Sequence, residues 1–297
     1  VFLDKPLGWT SRRAVNALVR LFTPEECKRI KAGHAGTLDP LASGMLPILL
    51  GEATRFADYG LQAEKRYRFE MDLSLQTDTL DQEGELIGAF DVPELSRSTV
   101  EGVVQTFTGP QRQVPPTFSA IRVDGQRSHA LARAGETVDL PARDIHIHEI
   151  ILEDVKLPRL TLRVHCSKGT YIRSLARDIG LALGLGGCVT ALRRLSTGGW
   201  PEAMMVAMTQ LQHDPARYVV PLAQWLRELP SCSLSAELAR RFVLGQRLQL
   251  SAHPGTLGEV AVFADDGLLG TGEIRAGQFC EVLHPKKVLP SAREKWL

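Results

Sequence analysis

Between Lys31 and Gly44 the chain places one imidazole, His34, and one carboxylate, Asp39, in the string Lys-Ala-Gly-His-Ala-Gly-Thr-Leu-Asp-Pro-Leu-Ala-Ser-Gly. The glycines let backbone come close to a ligand, and Pro40 pushes Asp39 toward an extended conformation. The apolar run Met45-Leu-Pro-Ile-Leu-Leu50 follows and can anchor the loop in a core. A carboxylate held on a stiffened loop can serve as nucleophile or base. On composition alone the same residues also read as turn chemistry, because Asp-Pro starts turns and Thr37 or Asp39 can cap. Two further side chains have chemical use. Tyr67 lies on the apolar face of an alternating stretch, where a phenol can assist a proton transfer or simply fill a core. Arg173 follows Lys168-Gly-Thr-Tyr-Ile and can point at a site or form a surface salt bridge with Asp178.

The elements that must position these groups are legible from periodicity. Val1-Phe-Leu reads as a strand, and Ser11 as the cap of a helix carrying Val15, Leu18, Val19 and Phe22 on one face, ended near Pro24. Lys65–Leu75 alternates strictly and is a half-buried strand. Thr77–Gly84 is turn-rich and acidic but lacks calcium-loop ligand order, so it reads as a solvated loop. Arg97–Thr108 reads as a helix capped by Ser98, and the Pro-rich stretch after it leads into a short strand and helix carrying Arg112, Arg122, Arg127 and Arg133. In Asp144–Glu153, Ile145, Ile147 and Glu149 alternate against His146, His148 and Ile150; the two histidines share a face, with no third metal ligand in view. Arg159–Ser167 is another alternating strand, leading into a helix with Leu175, Ile179 and Leu183 on one face. After Glu228-Leu-Pro230 come a helix over Ser235–Leu244 and short strands joined by an Asp265-Asp-Gly267 turn, a small β-rich module.

The 297 residues are 44% hydrophobic and 23% charged, an ordinary globular composition long enough for one large and one small domain. No segment approaches the roughly 18 apolar residues of a membrane span, and Val1-Phe-Leu3 runs into Asp4-Lys5-Pro6 without a signal peptide, so a cytoplasmic protein is expected, with a native N-terminus trimmed here. Five scattered cysteines without a Cys-x-x-Cys pair argue against structural zinc and a disulfide framework. Net charge is only +1, yet Arg159–Arg177 carries four arginines, a lysine and no acid, whereas Glu70–Glu94 carries eight acids and no base. Such segregation can make one positive face for phosphate binding; the alternative is an ordinary solvated surface.

Gly-His-Ala-Gly-Thr-Leu-Asp-Pro-Leu-Ala-Ser-Gly, Lys5-Pro-Leu-Gly-Trp-Thr-Ser11, Lys65-Arg-Tyr-Arg68, Ser167-Lys-Gly-Thr-Tyr-Ile-Arg-Ser-Leu175 and Leu192-Arg-Arg-Leu195 together resemble the signature motifs of the bacterial tRNA pseudouridine-55 synthases, the TruB family. The resemblance spans about residues 1–200 firmly and 230–297 more loosely. It implies an α+β pseudouridine-synthase fold with a mixed, largely antiparallel central sheet flanked by helices and loops. A catalytic domain over 1–228, with an RNA-gripping thumb at about 110–143, would precede a PUA-like RNA-binding domain over 229–297. It implies Asp39 as the catalytic carboxylate, Arg173 as its partner and Tyr67 in the active site. Such an arginine typically lowers a carboxylate pKa by about one to three units. His34 would enter the RNA loop, Leu192 would lie under the base, and Lys5, Tyr171, Arg122 and Arg127 would contact substrate. Two thumb positions depart from the pattern, Arg122 for an expected lysine and His129 for an expected tyrosine. The expected partner is the T-arm of tRNA, with no cofactor, metal or membrane, acting as a monomer by default. Two rivals are a tRNA-binding chaperone of the same ancestry and a sugar hydrolase, which needs a second catalytic carboxyl that does not stand out near these motifs.

Overall fold

The computed structural model describes residues 1–297 except 24–28, 120, 124–125, 129–130, 132–133, 135–139, 251–255, 266 and 279. Pro24, His129 and Arg133 therefore lie outside the described residues, as do the side chains of Arg122 and Arg127. The first part of the chain runs β1 (Phe2–Lys5), α1 (Ser11–Phe22), β2 (Ala32–His34), β3 (Ala42–Leu50), a 3₁₀ turn Gly51–Phe56, α2 (Ala57–Gln62), β4 (Lys65–Asp72), β5 (Leu75–Thr77), β6 (Leu86–Ala89) and α3 (Arg97–Gln105). It continues through β7 (Gly109–Gln113), β8 (Arg122–Val123), β9 (Gln126–Arg127), β10 (Arg143–Lys156), β11 (Arg159–Cys166), α4 (Ile172–Ala182) and β12 (Cys188–Thr197).

One sheet holds the order β1-β3-β12-β4-β11-β10-β7, with β2 on β3. Only the β12–β3 pairing among these is parallel, so the sheet is mixed and largely antiparallel. α1 buries Ala14, Val15, Leu18 and Val19, and α4 buries Leu175 and Ile179, in the same core as Phe69, Met71 and Val164 of the sheet. The insertion of β12 between β3 and β4 matters most. Leu192 pairs with Ala42 on one side and Phe69 on the other, which draws the Asp39 loop, Tyr67 and Leu192 into one region.

A second sheet, β13 (Ser231–Ser233), β14 (Leu248–Gln249), β15 (Gly258–Ala264), β16 (Gly267–Ala276) and β17 (Glu281–Val288), has the order β13-β15-β16-β17-β14. It packs with the helix Ala236–Val243 around Val262, Leu269 and Phe242, and that core also takes in Phe56 from the first part of the chain. Among the described residues Cys166, Cys188, Cys232 and Cys280 are free thiols, and no helix is long and apolar enough to cross a membrane.

Several local expectations change. The cap of α1 is Thr10, whose side chain accepts from the Arg13 N–H; Ser11 is the first helical residue and bonds elsewhere. The cap of α3 is Ser96 rather than Ser98, because its oxygen reaches the Thr99 N–H. The register of β10 shifts between Ile147 and Glu149, so Ile150 joins Ile145 and Ile147 in the core instead of facing with the histidines. Thr77–Gly84 is not simply solvated: Thr77 and Asp81 are buried, and the segment bridges to Val189.

Candidate active site

The Asp39 loop is built by its neighbours rather than by its own contacts. The Ser11 hydroxyl accepts from the Leu38 N–H at 2.8 Å and donates to the Leu38 carbonyl at 2.9 Å, so the first residue of α1 fixes the residue before Asp39. From β12, the fully buried guanidinium of Arg194 donates to the carbonyls of Met45 (2.6 Å), Gly36 (3.1 Å) and Thr37 (3.3 Å). Three fixed carbonyl dipoles replace the water this charge has lost. Gly44, at φ +96°, lies where β3 meets β12: a Cβ there would stand 2.2 Å from the Arg194 carbonyl oxygen. Glycine is therefore required both by conformation and by space.

Arg173, at the start of α4, is 6% exposed and reaches Asp39 Oδ2 with Nη2 at 2.8 Å, while the Asp39 side chain keeps 39% of its surface. The same guanidinium meets Asp81 Oδ2 at 3.3 Å and donates to the carbonyls of Thr79 (2.8 Å) and Phe118 (2.9 Å). Asp81 is itself held by the Thr79 hydroxyl and the Glu83 N–H, and it is buried. One arginine thus joins a sequestered carboxylate and an accessible one. Burial, and then the charges of Asp81 and Asp39, raise the Glu83 carboxyl above its ordinary pKa.

Of the two carboxylates only Asp39, with Arg173, opens onto a cleft of about 310 Å³, lined also by Thr37, Tyr67, Tyr171 and Leu192 among others. Burial pushes the Tyr67 phenol above its usual value, with Arg194 opposing, so it stays protonated. Tyr171 is raised for the same first reason; its backbone N–H and carbonyl are both tied to the Gln113 side chain, at 2.8 and 3.1 Å. Lys65, also on the cleft wall, donates to the Leu61 and Ala63 carbonyls, and burial brings it down to about 8. The arrangement offers an accessible carboxylate with a fixed cationic partner beside flat apolar walls, which suits a planar base attached to a sugar.

Three family models match in succession: TruB family pseudouridylate synthase (N terminal domain) over residues 24–172, tRNA pseudouridylate synthase B C-terminal domain over 173–229, and Pseudouridine synthase II TruB, C-terminal over 230–289. The chain belongs to the TruB family of pseudouridylate synthases. The tRNA pseudouridine synthase B of Xanthomonas campestris pv. campestris (strain 8004) is 41% identical over 273 residues, covering 90% of this chain and 86% of the relative. That of Burkholderia mallei (strain NCTC 10247) is 40% identical over 299 residues, covering 97% and 96%. Among solved structures, a chain from a Cbf5-Nop10-Gar1 complex aligns over 100% of this chain and 86% of its own, at 25% identity and TM-score 0.74.

Within this TruB-family chain, Asp39, Tyr67, Arg173, Tyr171 and Leu192 line one cleft. Lys5 and His34 do not line it. Lys5 is fully buried and donates to the Pro6 (2.9 Å) and Trp9 (2.5 Å) carbonyls; burial lowers it to about 8, and the Asp39 charge opposes that fall. Its hydrogen bonds go to backbone, and its side chain is not part of the cleft wall. His34 sits on β2 with its Nδ1 buried and unbonded among the described residues; burial, Arg194 and Arg12 all lower its pKa. The backbones of Arg122 and Arg127 pair, β8 on β9, and their side chains lie outside the described residues. Sequence reading missed Asp81, Arg194 and the Ser11–Leu38 clasp. Arg194 stood in view inside Leu192-Arg-Arg-Leu195, but nothing in the spacing tells which arginine turns inward; Asp81 was hidden in an acidic run that resembles a solvated loop.

Proposed function

We propose that this chain isomerises uridine to pseudouridine at position 55 in the TΨC loop of tRNA. The reaction breaks C1′–N1, joins C1′ to C5, moves the C5 proton to a base and returns a proton to N1, so nothing is oxidised or hydrolysed overall. The observation that carries the reading is the 2.8 Å pair between buried Arg173 and accessible Asp39 in a cleft walled by Tyr67 and Leu192. Asp39 is the carboxylate that attacks the sugar or the base, or begins an elimination. Arg173, 2.8 Å away, holds it aimed. Leu192 and Tyr67 sandwich the base, and Tyr67, being protonated, acts by stacking and by helping to position the group that takes the C5 proton. Asp81 is committed to Arg173 and buried, so it is not the second carboxyl a sugar hydrolase would need.

The target base leaves its stack to enter the cleft, at a cost of a few kcal/mol. His34 fills the gap in the RNA loop. Residues 1–228 form the catalytic domain, residues 110–143 the thumb that carries Arg122 and Arg127 to the T-arm, and residues 229–297 a PUA-like RNA-binding domain. The protein works as a monomer in the cytoplasm. The test is pseudouridine mapped by position on unmodified tRNA, with wild type and Asp39→Asn. Modification at position 55 that vanishes in the variant while tRNA binding persists supports the reading. Binding without modification by wild type would move the assignment to an RNA chaperone, and free uracil would make it a hydrolase.

A further inference from the structure

The two histidines that share a face of β10 acquire partners in three dimensions. The His165 ring of β11 lies 4.7 Å from the His148 ring at a tilt of 40°, and the His146 ring lies 4.6 Å from that of His148 at a tilt of 32°. Glu64, the residue before β4, meets both neighbours at once: Oε1 is 3.0 Å from His148 Nε2 and Oε2 is 2.8 Å from His165 Nε2. The ligand atoms of Glu64, His148 and His165 all lie within 4.8 Å of one another. The β10 register shift between Ile147 and Glu149 falls at His148, beside the Glu149–His165 pair. The three side chains are 52%, 32% and 21% exposed, so an ion can reach them from solvent.

We propose that Glu64, His148 and His165 form a binding site for a divalent transition metal of the zinc class, separate from the Asp39 cleft. Two imidazoles and one carboxylate are a ligand set that zinc accepts in four-coordinate geometry, at about 2.0–2.2 Å from each donor, with the fourth position left to water. Each Nε2 faces a carboxylate oxygen of Glu64, at 3.0 and 2.8 Å, so the donors already converge on one point and the ion takes the place of these contacts. Magnesium and calcium are disfavoured, because they take oxygen ligands and the site offers only one side-chain carboxylate. The ligands come from the lead-in to β4, from β10 and from β11, so the ion ties together three segments of the central sheet. The neighbouring cations are already engaged: Arg66 lies 3.9 Å from Glu149, and Lys168 donates to Gln62. Glu64 is followed directly by Lys65 on the cleft wall, so the ion would brace the cleft from outside it.

The test uses the full, untagged, metal-stripped chain, titrated with zinc alone against a competing chelator and then with cobalt for its visible absorption. One equivalent is expected, with a cobalt spectrum of low coordination number, an upward shift in melting temperature on zinc addition, and no displacement by excess magnesium. His165→Ala, His148→Ala and Glu64→Gln should each weaken zinc binding by about tenfold or more, while His213→Ala leaves it unchanged. Circular dichroism of the metal-free variants checks that they fold. Absence of a saturable equivalent, or an affinity the three substitutions do not alter, overturns the proposal and leaves Glu64 as a plain hydrogen-bonding partner of two histidines.

Discussion

His34 and Asp39 lie five residues apart, yet the structure gives them different surroundings. Asp39 is on the cleft, whereas His34 is on β2 with a buried, unbonded Nδ1 and a pKa lowered chiefly by burial. A neutral imidazole with a spare polar atom suits entry into an RNA loop better than proton transfer in the cleft. His34→Ala should therefore slow modification of folded tRNA by about tenfold or more while costing much less on a flexible stem-loop, where unstacking is cheap; equal losses on both substrates would refute the role. The lysines give a separate test. Lys5 and Lys65 have folded-state pKa values of about 8, against an ordinary 10.5. Between pH 8 and 10.5 the unfolded chain holds more protons on these two groups than the folded one. Their contribution to stability therefore rises with pH across that window, and the full burial penalty applies below pH 8. Urea midpoints of wild type should climb relative to a Lys5→Met, Lys65→Met double variant between pH 8 and 10; parallel curves would mean the lysines are not desolvated as the structure has them.

At the scale of elements, the decisive contact is β12 against β3. Gly44→Ala would place a Cβ 2.2 Å from the Arg194 carbonyl oxygen at φ +96°, and the two strands must part to relieve it. The expected cost is roughly 2–4 kcal/mol, against about 1–2 kcal/mol for Gly8→Ala, where φ is +75° but nothing lies within 4 Å. Because Arg194 also holds the Gly36 and Thr37 carbonyls, Gly44→Ala should lose activity well below its melting temperature. Stability and single-turnover rates for both variants distinguish this from a purely local strain. The two strands next in the sheet after β12 were readable in advance: Tyr67, Phe69 and Met71 of β4 alternate, and so do Leu160, Leu162 and Val164 of β11, and all are buried. The β10 register shift was not, because alternation assumes a regular pleat and one extra residue moves Ile150 to the other face. Asp81 and Arg194 were not readable either, since their partners lie 92 and 149–158 residues away along the chain, and no periodicity encodes that distance. Even the Arg173–Asp39 pair came from resemblance to a family; residue types alone left Arg173 equally suited to Asp178, which Arg177 takes instead.

For the whole molecule, the question is how far the two sheets depend on each other. A division after residue 228 follows the composition, but the packing does not stop there. Phe56, fully buried, belongs to the C-terminal core, and Trp225 donates to its carbonyl at 3.0 Å. Tyr59 bonds Glu259 at 2.6 Å, Lys287 meets Asp58 at 2.6 Å, Arg55 donates to the Val288 carbonyl at 2.7 Å, and Ser291 bonds Glu52. Phe56 and the four hydrogen-bonding partners just named fall within Glu52–Tyr59, the turn and short helix that lead into Lys65 and Tyr67. The exposed polar bonds add little individually, but uncovering Phe56 alone forfeits about 1.5–3 kcal/mol, and Leu226 shares that core. A chain ending at residue 228 should therefore melt several degrees below the full protein and bind a hydrophobic dye, besides losing affinity for tRNA. The full chain should unfold in one cooperative transition. If the shortened chain keeps the full melting temperature and loses only tRNA affinity, the C-terminal sheet is an independent RNA grip, and the Glu52–Tyr59 segment does not transmit its stability to the cleft.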